Sequence, residues 1–143
     1  MVRTQFVEQN PLLSPDGRWL AYTSNESGRT EVLVQAFPEP RGRIPISTSG
    51  GDEPVWSRDG REMFYLDGDD MMVVEVRTSP AFTASPPRKL FEGRYVRSPN
   101  SVAGYDVSAD GQRFLRIQPV NPDPPRDRIQ VTLNWFEALR AQE

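Results

Sequence analysis

Pro54-Val55-Trp56-Ser57-Arg58-Asp59-Gly60-Arg61-Glu62-Met63-Phe64-Tyr65-Leu66 decides the fold: an Asp-Gly turn with an apolar run on each side. Glycine takes positive φ without steric cost and the aspartate can accept from nearby backbone amides, so Asp-Gly between apolar runs is the strongest short-range hairpin signal. The turn recurs as Ser14-Pro15-Asp16-Gly17-Arg18 upstream and as Ser108-Ala109-Asp110-Gly111-Gln112 downstream, at spacings of 43 and 51 residues. Each copy has an apolar run before it (Pro11-Leu12-Leu13, Tyr105-Asp106-Val107) and after it (Trp19-Leu20-Ala21-Tyr22, Phe114-Leu115-Arg116-Ile117). Three repeats are therefore expected, each opening with a hairpin, with Asp16, Gly17, Asp59, Gly60, Asp110 and Gly111 as turn residues. Ser14, Ser57 and Ser108 recur at one place and read as caps of the turn, since no base is at hand to activate them as nucleophiles.

A third run with strand propensity follows each hairpin, at residues 30–37, 71–77 and 128–135, and a fourth follows twice, at 43–48 and 88–92. Four short strands per unit of this length is the pattern of a β-propeller blade. The sequence thus predicts an all-β chain of three blades of four-stranded antiparallel sheet, at 11–48, 53–92 and 104–136. The third has no fourth strand after it, whereas residues 3–8 stand ahead of the first repeat as 43–48 stand ahead of the second. Three blades close too tight a ring, and repeats need neighbours on both sides to bury their faces. The expected assembly is a homodimer forming a six-bladed ring, with residues 3–8 of each copy completing the third blade of the other and leaving no open edge. Residues 78–87 and 119–126 are proline-rich and expected as loops, and residues 137–143 as a helical turn or a frayed end.

Composition narrows the chemistry. The 143 residues carry 10 glycines and 14 prolines, no cysteine and no histidine, and a net charge of −3. That removes disulfides, thiolate nucleophiles, imidazole bases and zinc sites built on Cys or His. The size suits one domain, and a single lysine among scattered arginines points away from nucleic acid. No run approaches the roughly 20 apolar residues of a membrane span, and residues 1–10 lack the apolar stretch of a secretory signal, so a soluble chain is expected and its compartment stays open.

Pro11-Leu-Leu-Ser-Pro-Asp-Gly-Arg-Trp-Leu-Ala-Tyr22 and Pro54-Val-Trp-Ser-Arg-Asp-Gly-Arg-Glu-Met-Phe-Tyr65 resemble the repeat of TolB-like, WD-repeat-related propellers, with its Pro-x-Trp-Ser-Pro-Asp-Gly core. The third unit keeps Ser108 and Asp110-Gly111 but lacks the proline and tryptophan, and Val131-Thr-Leu-Asn-Trp-Phe-Glu-Ala-Leu139 is similar to the ending of propellers attached behind bacterial serine/threonine kinases. The resemblance implies the C-terminal half of a six-bladed propeller, periplasmic or extracytoplasmic in its parent, serving as a non-catalytic interaction or ligand-sensing module with a protein or small-molecule ligand at the channel mouth. No kinase motif is present: Lys89 follows Pro-Pro-Arg, and there is no Gly-rich phosphate loop.

The segment entering each innermost strand of a propeller borders its channel. Here these segments read Glu8-Gln9-Asn10-Pro11, Gly51-Asp52-Glu53-Pro54 and Ala103-Gly104-Tyr105-Asp106. Asp52 and Glu53 of both copies, with Asn10 and Glu8, are candidate oxygen ligands for calcium, magnesium or manganese, an arrangement that resembles the channel metal of calcium-dependent six-bladed hydrolases of the paraoxonase and gluconolactonase type. The alternative function is then a metal-dependent hydrolase of phosphotriesters, lactones or esters, with Glu53 or Asp52 as ligand or general base. Against it stands the reading of these side chains as solvated groups at a channel mouth. Asp67-Gly68-Asp69-Asp70 reads as the turn between second and third strands, because the continuation of an EF-hand is missing. Trp19, Trp56 and Trp135 are expected between blades.

Overall fold

The computed structural model describes residues 5–93 and 103–117. All of its regular structure is β. The first sheet has the order β1 (Glu8–Leu13), β2 (Trp19–Ser24), β3 (Glu31–Ala36), β4 (Ile44–Pro45), antiparallel throughout. The second holds β5 (Asp52–Trp56), β6 (Glu62–Asp67) and β7 (Asp70–Arg77), whose outer edge is shared by β8 (Thr83–Ala84) and β9 (Arg88–Glu92). β10 (Tyr105–Val107) and β11 (Phe114–Arg116) form a two-stranded hairpin. Among the described residues no helix is long and apolar enough to cross a membrane.

The three hairpin turns are built alike. Ser14 Oγ donates to Asp16 Oδ1 at 2.6 Å and accepts from the amide of Trp19 at 3.0 Å, while the amide of Arg18 donates to the same aspartate oxygen at 3.1 Å. Ser57 with Asp59, and Ser108 with Asp110, repeat this arrangement, at 2.7 and 2.5 Å for the hydroxyl bond. Gly17, Gly60 and Gly111 hold φ of 69°, 70° and 71°, and each amide donates to the serine carbonyl three residues back. A side chain at these glycines would face the left-handed penalty three times over.

Register then assigns faces, because side chains alternate along a strand. On β6, Met63 and Tyr65 lie in a core with Ala21, Val32 and Val34 of the first sheet and Ile46 just beyond β4, joined by Trp56, Val74, Val76 and Phe82. Phe64 and Leu66 point the other way, into a second core with Met71, Val73 and Tyr105, against which Phe114 and Val107 pack. β6 is buried on both faces, which explains its uninterrupted apolar run. Trp19 and Trp56 meet Phe82 at ring-centroid distances of 5.0 and 6.3 Å, and the Trp56 indole donates to the Leu12 carbonyl. Two tryptophans thus lie between the first two sheets; Trp135 falls outside the described residues.

Among the described residues, the expected runs are present with two differences. β4 spans two residues of the run 43–48, because Pro45 has no N–H to extend the ladder; Ile46 and Ser47 instead both donate to the Val32 carbonyl. The loop 78–87 contains β8, paired at Val76↔Ala84 and Arg77↔Thr83. Asp67↔Asp70 closes a two-residue turn at Gly68-Asp69, as expected, and Lys89 bridges Asp70 at 2.6 Å. In the N-terminal run 3–8, Glu8 belongs to β1, and Val7 donates its amide to Asn25 Oδ1 and accepts the Asn25 amide at its carbonyl, within its own unit; residues 3 and 4 lie outside the described set. The expected third strand at 128–135, the loop at 119–126 and the C-terminal turn lie outside it too.

Candidate functional site

β1 and β5 each carry an extra residue near their start. Pairing steps from Gln9↔Thr23 to Leu12↔Ala21 in the first sheet and from Asp52↔Leu66 to Val55↔Phe64 in the second, so one residue more is used on β1 and β5 than on their partners. These are β-bulges, which re-aim side chains out of the strict alternation. Each contains a proline, Pro11 or Pro54, so the broken ladder strands one donor fewer. Ahead of the prolines, Asn10 and Glu53 adopt left-handed backbone, φ 53° and 51°, rare for residues with a Cβ.

Both side chains turn inward, with Asn10 8% and Glu53 3% exposed. Asn10 Nδ2 donates to Asp52 Oδ1 at 2.8 Å, an oxygen that also accepts the Glu53 amide at 2.8 Å. Glu53 Oε2 accepts from the Gly104 amide at 2.6 Å, and the Glu53 carbonyl accepts from the Tyr105 hydroxyl at 2.9 Å. The bulge of the first unit is thereby tied to that of the second, and the bulge of the second to the segment entering the third hairpin. Tyr105 is buried, and burial together with the nearby Glu53 charge holds its phenol well above the ordinary value near 10, so it stays a neutral donor. Asn10 Oδ1 is buried with no hydrogen-bond partner.

Of the expected ligands, then, the structure joins Asn10 to Asp52 and turns the Glu53 carboxylate toward the third unit. Glu8 stands two residues ahead of Asn10, opposite Ser24. Among the described residues no three of the acidic side chains gather into a group able to hold a metal ion, so within one chain Glu8, Asp52 and Glu53 do not form a cage. Asp16, Asp59 and Asp110 serve the turns, as described.

Sequence reasoning marked the segment of Gly104 and Tyr105 without giving either residue a role. The signal was in the spacing: Gly104 stands four residues ahead of Ser108, as Asn10 and Glu53 stand ahead of Ser14 and Ser57. A second buried carboxylate also went unmarked. Glu31, 6% exposed, accepts from Ser47 Oγ at 2.5 Å and from the Gly50 amide at 3.2 Å, and pairs with Arg29 at 3.0 Å, which fixes the crossover from the first sheet to the second. An open cleft of about 590 Å³ beside β8 is lined by Arg61, Glu62, Glu75, Arg77 and Ser85, with both signs of charge present.

No family model matches the chain. Over 76 residues it is 32% identical to dipeptidyl aminopeptidase BI of Pseudoxanthomonas mexicana, an alignment covering 52% of this chain and 10% of that protein. The chain therefore spans about a tenth of the length of the curated relative it matches.

Proposed function

We propose that the repeats are blades of a TolB-like propeller, that two copies complete one six-bladed ring, and that the ring is a non-catalytic interaction or ligand-sensing module of a bacterial signalling protein. In this reading the third unit is closed by the part of the partner's N-terminal run that precedes Val7, since Val7 and Glu8 are held by their own first unit. The observation that carries the functional reading is the occupation of the two inner carboxylates. Asp52 Oδ1 takes two N–H donors and Glu53 Oε2 takes the Gly104 amide, so both serve to lock one unit onto the next. A general base needs a lone pair directed at a substrate proton, and a hard cation needs several converging oxygens; Glu53 is 3% exposed, with Oε2 turned onto the Gly104 amide, and among the described residues no three acidic side chains converge on one point. A ring whose acids are engaged in its own stacking presents surface for recognition rather than a reaction centre.

The test is turnover. The full chain, given phosphotriester, lactone and aryl-ester substrates with and without a chelator, is expected to give rates equal to buffer. Hydrolysis abolished both by chelation and by Glu53→Gln would replace this reading with the metal-dependent hydrolase.

A further inference from the structure

The common turn places the second strand of every unit in one register. Seven and nine residues beyond Ser14, Ser57 and Ser108 stand Ala21 and Thr23, Phe64 and Leu66, and Leu115 and Ile117. Ala21 lies in the core between the first and second sheets, Phe64 and Leu66 in the core between the second and the third hairpin. These positions face the following unit. Phe64 and Leu66 are 1% and 2% exposed there, whereas Leu115 and Ile117, with the same assignment in the third unit, are 76% and 67% exposed.

The opposite face can be traced in the same way. Cross-strand pairs Trp56↔Met63 and Val107↔Phe114 face the preceding unit, and both are part of the two cores. Their counterpart in the first unit is Leu13↔Leu20. Leu13 is 44% exposed and Leu20 half-buried, while Tyr22 further along that face is 2% exposed, so the opening lies at the Leu13 end.

We infer that Leu115 and Ile117 form the trailing half of an interface with a second copy of this chain and seat against its Leu13 and Leu20. The inference rests on the two-copy ring proposed above and names the surfaces that close it. Continuity identifies the occupant: sheet stacks on sheet twice within the described residues at this register, and the exposed trailing positions Leu115 and Ile117 and the exposed leading position Leu13 belong to the same sequence. A two-fold pair joins them twice and leaves neither end open. Asp106, opposite Leu115 on the trailing face, satisfies itself on the Val107 amide and marks the polar rim.

Light scattering on the full chain tests this, with Leu115→Asp and Leu13→Asp as variants and circular dichroism as a check on folding. Wild type is expected at twice 16.2 kDa. Each variant is expected to keep its strand signal, because both side chains are exposed, and to weaken pairing by about a hundredfold, since a charge would have to be buried against leucine. A wild-type pair that either variant leaves intact overturns the interface while the two-copy ring stands; a monomeric wild type overturns both.

Discussion

Asn10 and Glu53 occupy one position in consecutive repeats, share a left-handed backbone at φ 53° and 51°, and each reaches across to the segment that enters the following hairpin, at Asp52 and Gly104. Side chains that the sequence offers as chemistry are thus seen holding a stack of sheets in line, and the consequences are measurable.

Replacing Glu53 by alanine leaves the Gly104 amide without its charged acceptor. Hydrogen bonds to charged groups contribute about 1.5–3 kcal/mol, and the site is buried. Glu53→Ala is expected to lower unfolding stability by about 2 kcal/mol in urea titration. Wild-type stability in that variant would mean that the contact between second and third units carries no weight.

Asn10 separates backbone strain from side-chain bonding. Glycine removes both the left-handed cost and the bond to Asp52, whereas alanine removes the bond and keeps the cost. Asn10→Ala is expected to be less stable than Asn10→Gly by about 1 kcal/mol, read from the shift in urea midpoint. Equal midpoints would contradict the left-handed bulge.

Gly51 is fixed by its neighbour. A Cβ there would stand against Ser47 Oγ and 2.7 Å from Ser47 Cβ, and Ser47 cannot retreat because its hydroxyl binds Glu31 and the Val32 amide. Gly51→Ala is expected to cost at least about 2 kcal/mol by overpacking, visible as a drop in thermal midpoint. Gly17→Ala, where nothing lies within 4 Å, serves as the comparison, since it should show only the backbone penalty.

The turns set the response to acid. Hydroxyl bonds from Ser57 and Ser108, with the amides of Arg61 and Gln112, hold Asp59 and Asp110 below the ordinary value of 3.8. At Asp16 burial pushes the other way and is overcome by the bonds from Ser14 and Arg18. The folded chain gives up these protons more readily than the unfolded chain, so their contribution is complete above pH about 3.8 and is lost as pH falls through the lower folded values. Urea midpoints should hold steady from neutral pH to about 4 and decline below it, with a shallower decline in Asp59→Asn. A midpoint that rises on acidification would contradict the turn geometry.

The hairpins were legible because Ser-x-Asp-Gly fixes both a turn and a register, and once register is known the alternation on β6 assigns its faces. β8 was not legible: Thr83 and Ala84 are both exposed and sit among prolines, so neither periodicity nor propensity marks them. The bulges escaped notice because asparagine and glutamate, not glycine, hold positive φ there. Composition marked Asp52, Glu53 and Asn10 as polar groups at the entry to inner strands, but their partners are 42 and 51 residues away and depend on how sheets stack, which local sequence does not encode.

The most direct measurement of the central claim is solution mass by light scattering with elemental analysis on the same peak. A ring of two stacked copies whose carboxylates hold its own units together predicts a particle of twice 16.2 kDa with no stoichiometric metal. A single 16.2 kDa species would contradict the ring, and a pair carrying stoichiometric calcium, magnesium or manganese would contradict the non-catalytic reading of its centre.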